Sequence, residues 1–226
     1  KYDLKIMPMN FYINGEEYNS ATTTLSTKDI CDQMRKGATT KTSQPNEAEV
    51  EEYLRGLLKE GKDILHLSFS SAMSGTCETF KNVAKKLNNQ CTNKIYVVDT
   101  LCQSAGVGLL LIILADKIKD CNFSITDARD YAESIKHCIV HYFVVEDLKY
   151  LAIGGRISPG LATIGNLIKL KPVLHLDDTG RIVQLQKVIG RKKSIATLIE
   201  KIIKHYSDLS NKVIICEADC KEDAEY

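Results

Sequence analysis

Short apolar runs alternate with longer helical patterns through the first two thirds of the chain. Asp63 to Phe69 is a brief, mostly apolar run that predicts a strand, and Ser70 to Thr76 turns into a helical stretch reaching about Leu87. Lys94 to Val98 predicts a second strand, closed by Asp99 and Thr100, and an apolar helix follows from about Gln103 to Ile118. Ser124 or Thr126 can cap a third helix through Lys136. Cys138 to Val145, rich in β-branched and aromatic residues, predicts a third strand. Strand, crossover helix and strand, repeated, is the signature of a parallel sheet in an α/β domain.

After Tyr150 the pattern changes. Lys171 to Leu176 and Arg181 to Val188 read as two strands joined by the turn residues Asp177-Asp-Thr-Gly180. A helix from Ser194 to Tyr206 and a strand from Lys212 to Cys216 are expected next. The order predicts two domains with a boundary near Leu148 to Gly155. Residues 1–150 form an α/β domain with a mainly parallel sheet flanked by helices, and residues 151–226 a smaller α+β second domain.

The helix from Gln103 to Ile118 is apolar almost all round, through Val107, Leu109, Leu110, Leu111, Ile112, Ile113 and Leu114. Such a helix is expected to be enclosed on most sides. Packing between the sheet and another layer explains it, and so does lining an apolar ligand channel.

Composition narrows the classes. Hydrophobic residues are 44% and charged residues 26% of 226, which excludes whole-chain disorder. The longest apolar run, Ala105 to Ala115, is eleven residues with two glycines, well short of the ~20 a membrane span needs. No basic segment followed by an apolar stretch opens the chain, so no secretory signal is expected. The eight cysteines, Cys31, Cys77, Cys91, Cys102, Cys121, Cys138, Cys216 and Cys220, are scattered, several in apolar stretches. That usage fits free thiols in a reducing, cytoplasmic compartment. Neither Cys216/Cys220 nor His137/Cys138/His141 is backed by a second ligand pair, so no metal site is expected.

Net charge is +1, yet it is uneven. Lys149 to Lys204 holds eleven Lys and Arg against three Asp and Glu, and the remainder carries −7. A basic face can meet nucleic acid, phosphate or an acidic protein, and it can equally be a solvated surface. Interleaved aromatics of the kind that bind single strands are missing from it.

The strongest local feature is Phe69-Ser-Ser-Ala-Met-Ser-Gly-Thr76, where a strand ends and a helix begins. Open α/β sheets bind ligands at the carboxyl ends of their strands. A helix N-terminus offers unpaired N–H groups and a positive dipole end, and Gly75 allows close backbone approach. The chemistry suits a carboxylate or a phosphate, and a simple N-cap among solvated serines is an equal reading. No Walker lysine follows, and there is no G-x-G-x-x-G or G-x-S-x-G. None of His66, His137, His141, His175 and His205 has a motif tying it to the serine loop. Thr39 to Pro45 reads as a polar connector. Gly154-Gly-Arg156 reads as a helix end, with Pro159 starting the next helix and Arg156 left as a donor.

These motifs in this order resemble the DegV family. The residues are Pro8 to Tyr18, Thr42-Ser-Gln-Pro45, Ser70 to Thr76, Val98-Asp-Thr with Ser104 to Gly108, Leu148 to Ser158 with Gly-Gly-Arg, and Leu170-Lys-Pro-Val-Leu174 with Gly180 and Lys187. The resemblance implies a protein that encloses one long-chain fatty acid between two α/β domains. It implies presentation of the carboxyl group to a separate fatty acid kinase, which makes an acyl phosphate. By match to the motifs, Thr42 and Ser74 hold the carboxylate with the Gly75 backbone alongside. Ser70, Ser71 and Thr76 are candidate supporting hydroxyls, and Arg156 matches a position implied in kinase docking. The family pattern begins with a strand and an Asp-Ser turn and ends with a His and a Gly-Pro-Gly, neither of which this chain contains. Its basic run reads Lys187-Val-Ile-Gly-Arg191, one arginine short. The second domain is accordingly expected to be incomplete at its C-terminus.

The reading is a lipid-binding protein and no enzyme, with no cofactor, no nucleic-acid partner and peripheral membrane contact for ligand exchange. Two alternatives differ in class: an enzyme acting on a small carboxylated or phosphorylated metabolite through the same serine loop, and a regulatory or nucleic-acid-binding role for the basic second half.

Overall fold

The structure, a computed structural model, describes residues 4–164, 170–205 and 212–226. The chain opens on an antiparallel hairpin of β1 (Asn10–Ile13) and β2 (Glu16–Asn19). Asn14 and Gly15 turn it with φ of 52° and 88°, the left-handed pair that matches strand twist. After α1 (Thr27–Arg35), β3 (Thr40–Thr42) pairs with the other edge of β1, Phe11 opposite Thr42. The segment expected as a polar connector is therefore in part a strand. Thr-Lys-Thr has no apolar face to betray it, and backbone pairing with β1 holds it in the sheet. α2 (Glu47–Leu58) starts at a capping box in which Asn46 and Glu49 each accept the other's N–H.

β4 (Ile64–Ser68) and β5 (Ile95–Asp99) run parallel, joined by α3 (Thr76–Asn88). Period-two alternation sends their side chains to two cores. Ile64, Ile95 and Val97 meet Val50 and Leu54 of α2 and Phe80, Val83 and Leu87 of α3. Leu65, Leu67 and Val98 meet Leu110 and Leu114 of α4 (Ser104–Cys121) and Ala132 of α5 (Ile125–Ile135). The result is a helix–sheet–helix sandwich, with Ser124 capping α5 through the Asp127 N–H.

α4 departs from its expected enclosure. Only Gly106, Leu110 and Leu114 are buried, one stripe at i, i+4 spacing, and Ile118 is 44% exposed. An open cleft of about 380 Å³ beside it is lined by Leu109, Ile113, Tyr131, Ile135 and Ile139 among others.

The expected third parallel strand also fails to form. Lys136–Cys138 make a 3-10 turn closed by the Ile139 N–H, and only Tyr142–Phe143 (β6) is extended and paired. β6 pairs antiparallel with β7 (Val173–Leu176), and β7 pairs with β8 (Ile182–Gln186). The reason lies in His141, which accepts the Gln103 N–H at 3.4 Å and seats its ring on Gly106. That segment is thereby committed to the start of α4 rather than to the edge of β5.

α6 (Lys149–Ile153) ends at the glycines as expected. The Gly155 N–H reaches Ala152 O and the Arg156 N–H reaches Leu151 O, with Gly155 at φ 70°. This pair of bonds is a Schellman cap, which needs a left-handed residue. α7 (Pro159–Ile164) starts at its proline, with the Ser158 hydroxyl accepting the Leu161 N–H. Met73, Leu148, Ile157, Leu161, Leu174 and Ile182 form the core under β6–β8. α8 (Arg191–His205) begins earlier than expected, and Tyr206 lies outside the described residues. Lys212 to Cys216 forms no strand, since no neighbouring ladder pairs with it, and Val213 and Ile215 stay 53% and 71% exposed. The chain continues into α9 (Lys221–Glu225).

Candidate anion site at the head of α3

The carboxyl ends of β4 and β5 are knitted together before the serine loop departs. The Thr100 hydroxyl donates to Ser68 O at 2.7 Å and accepts the Cys102 N–H, while the Ser70 N–H donates to Cys102 O. One carboxylate oxygen of Asp99 accepts the N–H groups of both Ser71 and Leu101 at 3.2 Å. Leu101 sits at φ 55°, a strained conformation for a branched side chain, held by those bonds. The loop after β4 and the loop after β5 are thus one unit.

On that platform the serines separate into different roles. Ser70 is fully buried, and its hydroxyl donates to Gly180 O at 2.9 Å while accepting the Ala72 N–H. Ser71 is exposed and its N–H is spent on Asp99. Ser74 is half-buried, its hydroxyl 2.9 Å from that of Thr76 and accepting the Thr76 N–H. Gly75 is the N-cap of α3 and has no side chain to cap it, so the Ser74 hydroxyl is the side-chain acceptor at the positive end of this thirteen-residue helix. Hydroxyls of Ser74 and Thr76 beside that helix end form a surface suited to an anion.

Thr42 is exposed at the end of β3. Two residues on, the exposed Gln44 lays its carboxamide against Gly75, in the space a side chain at 75 would need. This contact brings the Thr-Ser-Gln-Pro segment to the serine loop from a different sheet. Pro45 is buried and starts the turn into α2. Gln44 and Asp99 both lie in motifs visible in the sequence, Thr42-Ser-Gln-Pro45 and Val98-Asp-Thr, but neither was a site candidate there. The role of Asp99 depends on loop geometry that no spacing reveals.

Arg156 is half-buried and folds back so that its guanidinium donates to the Gly154 carbonyl. It stands at the end of α6, in the glycine-rich joint. Part of the basic segment is neutralised locally: Lys171 pairs with Glu146, and Arg191 with Asp223. His66 and His141 are held away from the serine loop. His66 stacks on Phe80 with ring centroids 3.6 Å apart, and burial lowers its pKa to about 4. Burial likewise lowers the pKa of His141. All eight cysteines are free thiols, with burial raising Cys102 to about 11.

Known proteins share this fold. A DegV domain-containing protein of Clostridium perfringens is 34% identical over 226 residues, which cover 99% of this chain and 77% of the relative. Among solved structures, the fatty acid binding DegV family protein of Streptococcus agalactiae superposes with a TM-score of 0.82 at 28% identity, covering 100% of this chain and 78% of that one. DegV of Bacillus subtilis, described as a fatty acid binding protein, gives 0.74 at 29%, covering 88% and 70%. With these likenesses, and with the family model for uncharacterised proteins of the DegV family matching residues 1–226, the chain belongs to the DegV family.

Proposed function

We propose that this chain binds a long-chain fatty acid and presents its carboxylate to a separate fatty acid kinase for acyl phosphate formation. The carboxylate sits at the head of α3. Thr42 and Ser74 donate to it, and the Gly75 backbone lies alongside. Thr76 supports Ser74. The acyl chain lies between the two parts of the chain, residues 1–150 and 151–226, against apolar side chains of α4 that packing leaves half-buried. Burial of a methylene is worth about 0.8 kcal/mol, so the chain supplies affinity and the carboxylate supplies orientation. Arg156, beside the glycine joint, offers the kinase a docking contact. The protein is the acyl carrier in the cytoplasm, and the kinase is the catalyst.

The observation that carries this reading is the contact of Gln44 with Gly75, which gathers the Thr42 segment and the Ser74 loop around one helix N-terminus. The Streptococcus agalactiae and Bacillus subtilis proteins, described as fatty acid binding, support it. The test is direct: denature the purified protein and analyse the organic extract by mass spectrometry. A stoichiometric fatty acid is expected. Titration of lipid-free protein should then show palmitate binding far tighter than acetate, and equal binding of both rejects the reading.

A further inference from the structure

The hydroxyl that points away from the anion surface has a partner in the other half of the chain. Ser70 is fully buried, and its only hydrogen is committed to Gly180 O at the tip of the β7–β8 hairpin, 2.9 Å away. The tip is a tight turn in which the Asp177 carboxylate accepts the Thr179 and Arg181 N–H groups, and Gly180 closes it at φ 78°. A side chain at 180 would collide with the Ser70 hydroxyl and stand 3.1 Å from the Leu101 backbone. The tip is therefore pressed into the corner between Ser70 and Leu101, which Asp99 fixes through Ser71 and Leu101.

A second anchor lies three residues along. Met73 is 7% exposed and packs with Leu148, Ile157, Leu161, Leu174 and Ile182, the core under the hairpin layer. Ser74 follows it directly. The loop that carries Ser74 is held at both ends of its first turn by the second half of the chain.

We propose that Ser70 and Gly180 are a positioning pair: the hairpin tip holds the loop so that the Ser74 hydroxyl meets the ligand carboxylate. Head-group binding and docking of the hairpin are then linked, and by reciprocity each strengthens the other. Removing the Ser70 hydroxyl frees the loop and leaves the buried Gly180 carbonyl without its donor. Ser70 touches no ligand in this arrangement. The inference rests on the fatty-acid reading and refines it.

The experiment compares palmitate with hexadecan-1-ol, which has the same chain and no carboxylate. Ser70→Ala should weaken palmitate binding about tenfold and hexadecan-1-ol less than about threefold. Equal losses for both lipids, or no loss for either, overturns the positioning role while leaving the fatty-acid reading intact. Wild-type protein that binds neither lipid overturns the reading and the inference together. A second measurement needs no variant. Palmitate should slow amide hydrogen exchange across Asp178 to Arg181, well beyond the effect of hexadecan-1-ol. Unchanged exchange there rejects the linkage.

Discussion

The Gln44 carboxamide occupies the space that a side chain at position 75 would fill. Gly75 has φ −71° and ψ −4°, an ordinary helical conformation, so its backbone does not demand glycine. The requirement comes from Gln44 instead. Because Gln44 is exposed and flexible, Gly75→Ala should swing the carboxamide aside at little cost in stability. We expect palmitate affinity to fall about three- to tenfold, with the same fall in Gln44→Ala and no further fall in the double variant. Calorimetric titration of all four proteins checks this. Additive losses would mean that Gly75 and Gln44 act separately.

Ser74 and Thr42 carry the next prediction. Among the described residues the Ser74 hydroxyl pairs with Thr76, and Thr42 is exposed, so neither side chain fills the core. A hydrogen bond to a charged group is worth roughly 1.5–3 kcal/mol. Ser74→Ala or Thr42→Ala should therefore weaken palmitate binding about ten- to a hundredfold while the melting temperature stays near that of wild type. Wild-type affinity in the double variant would place the head group elsewhere.

The sequence made these loops visible to different degrees, for physical reasons. β4 and β5 were legible because buried strands concentrate β-branched and apolar residues between turn signals. The Schellman end of α6 was legible because glycine adopts its left-handed conformation most readily, and the β7–β8 turn because Asp and Gly stabilise it. The first sheet escaped, although Asn14-Gly15 is a hairpin signal, because Glu16-Glu-Tyr-Asn19 and Thr40-Lys-Thr42 lack an apolar face. β6 was misassigned because apolar content cannot say which sheet a strand joins, and here His141 decides it. At the site, hydroxyl residues were readable as a group. Their division was not, since Ser70 and Ser74 differ only in what lies opposite each, and Gly180 is 110 residues from Ser70.

Arg156 tests the kinase contact. Its guanidinium folds onto Gly154 rather than onto a carboxylate, so no ion pair anchors it among the described residues. A rigid guanidinium fork suits carboxylates or phosphates on a partner. Arg156→Ala should leave palmitate affinity near normal and slow acyl phosphate formation, the more so at low salt. Melting temperature, affinity and turnover measured on one preparation separate the roles. A lowered melting temperature with unchanged turnover would assign Arg156 to the joint alone.

His66 sets a pH dependence of stability. Its ring lies parallel to Phe80, 3° between planes, and its Nε2 is buried without a hydrogen-bond partner among the described residues. Burial lowers its pKa from 6.5 to about 4, so the folded state holds it neutral where the unfolded chain would protonate it. Between those values the unfolded state binds more protons, and stability rises with pH. The contribution is complete above the unfolded value and is lost as pH falls from about 6.5 towards 4. A shift of this size corresponds to roughly 3 kcal/mol. His141, lowered by burial as well, acts in the same direction. Urea unfolding at pH 7.5 and pH 4.5 should show wild-type protein losing stability across the window. His66→Leu should shrink that loss by about 2 kcal/mol, since pH 4.5 spans most of the interval. An unchanged difference between the two pH values in the variant would show that the ring is accessible to protons when folded, and would reject the buried neutral state.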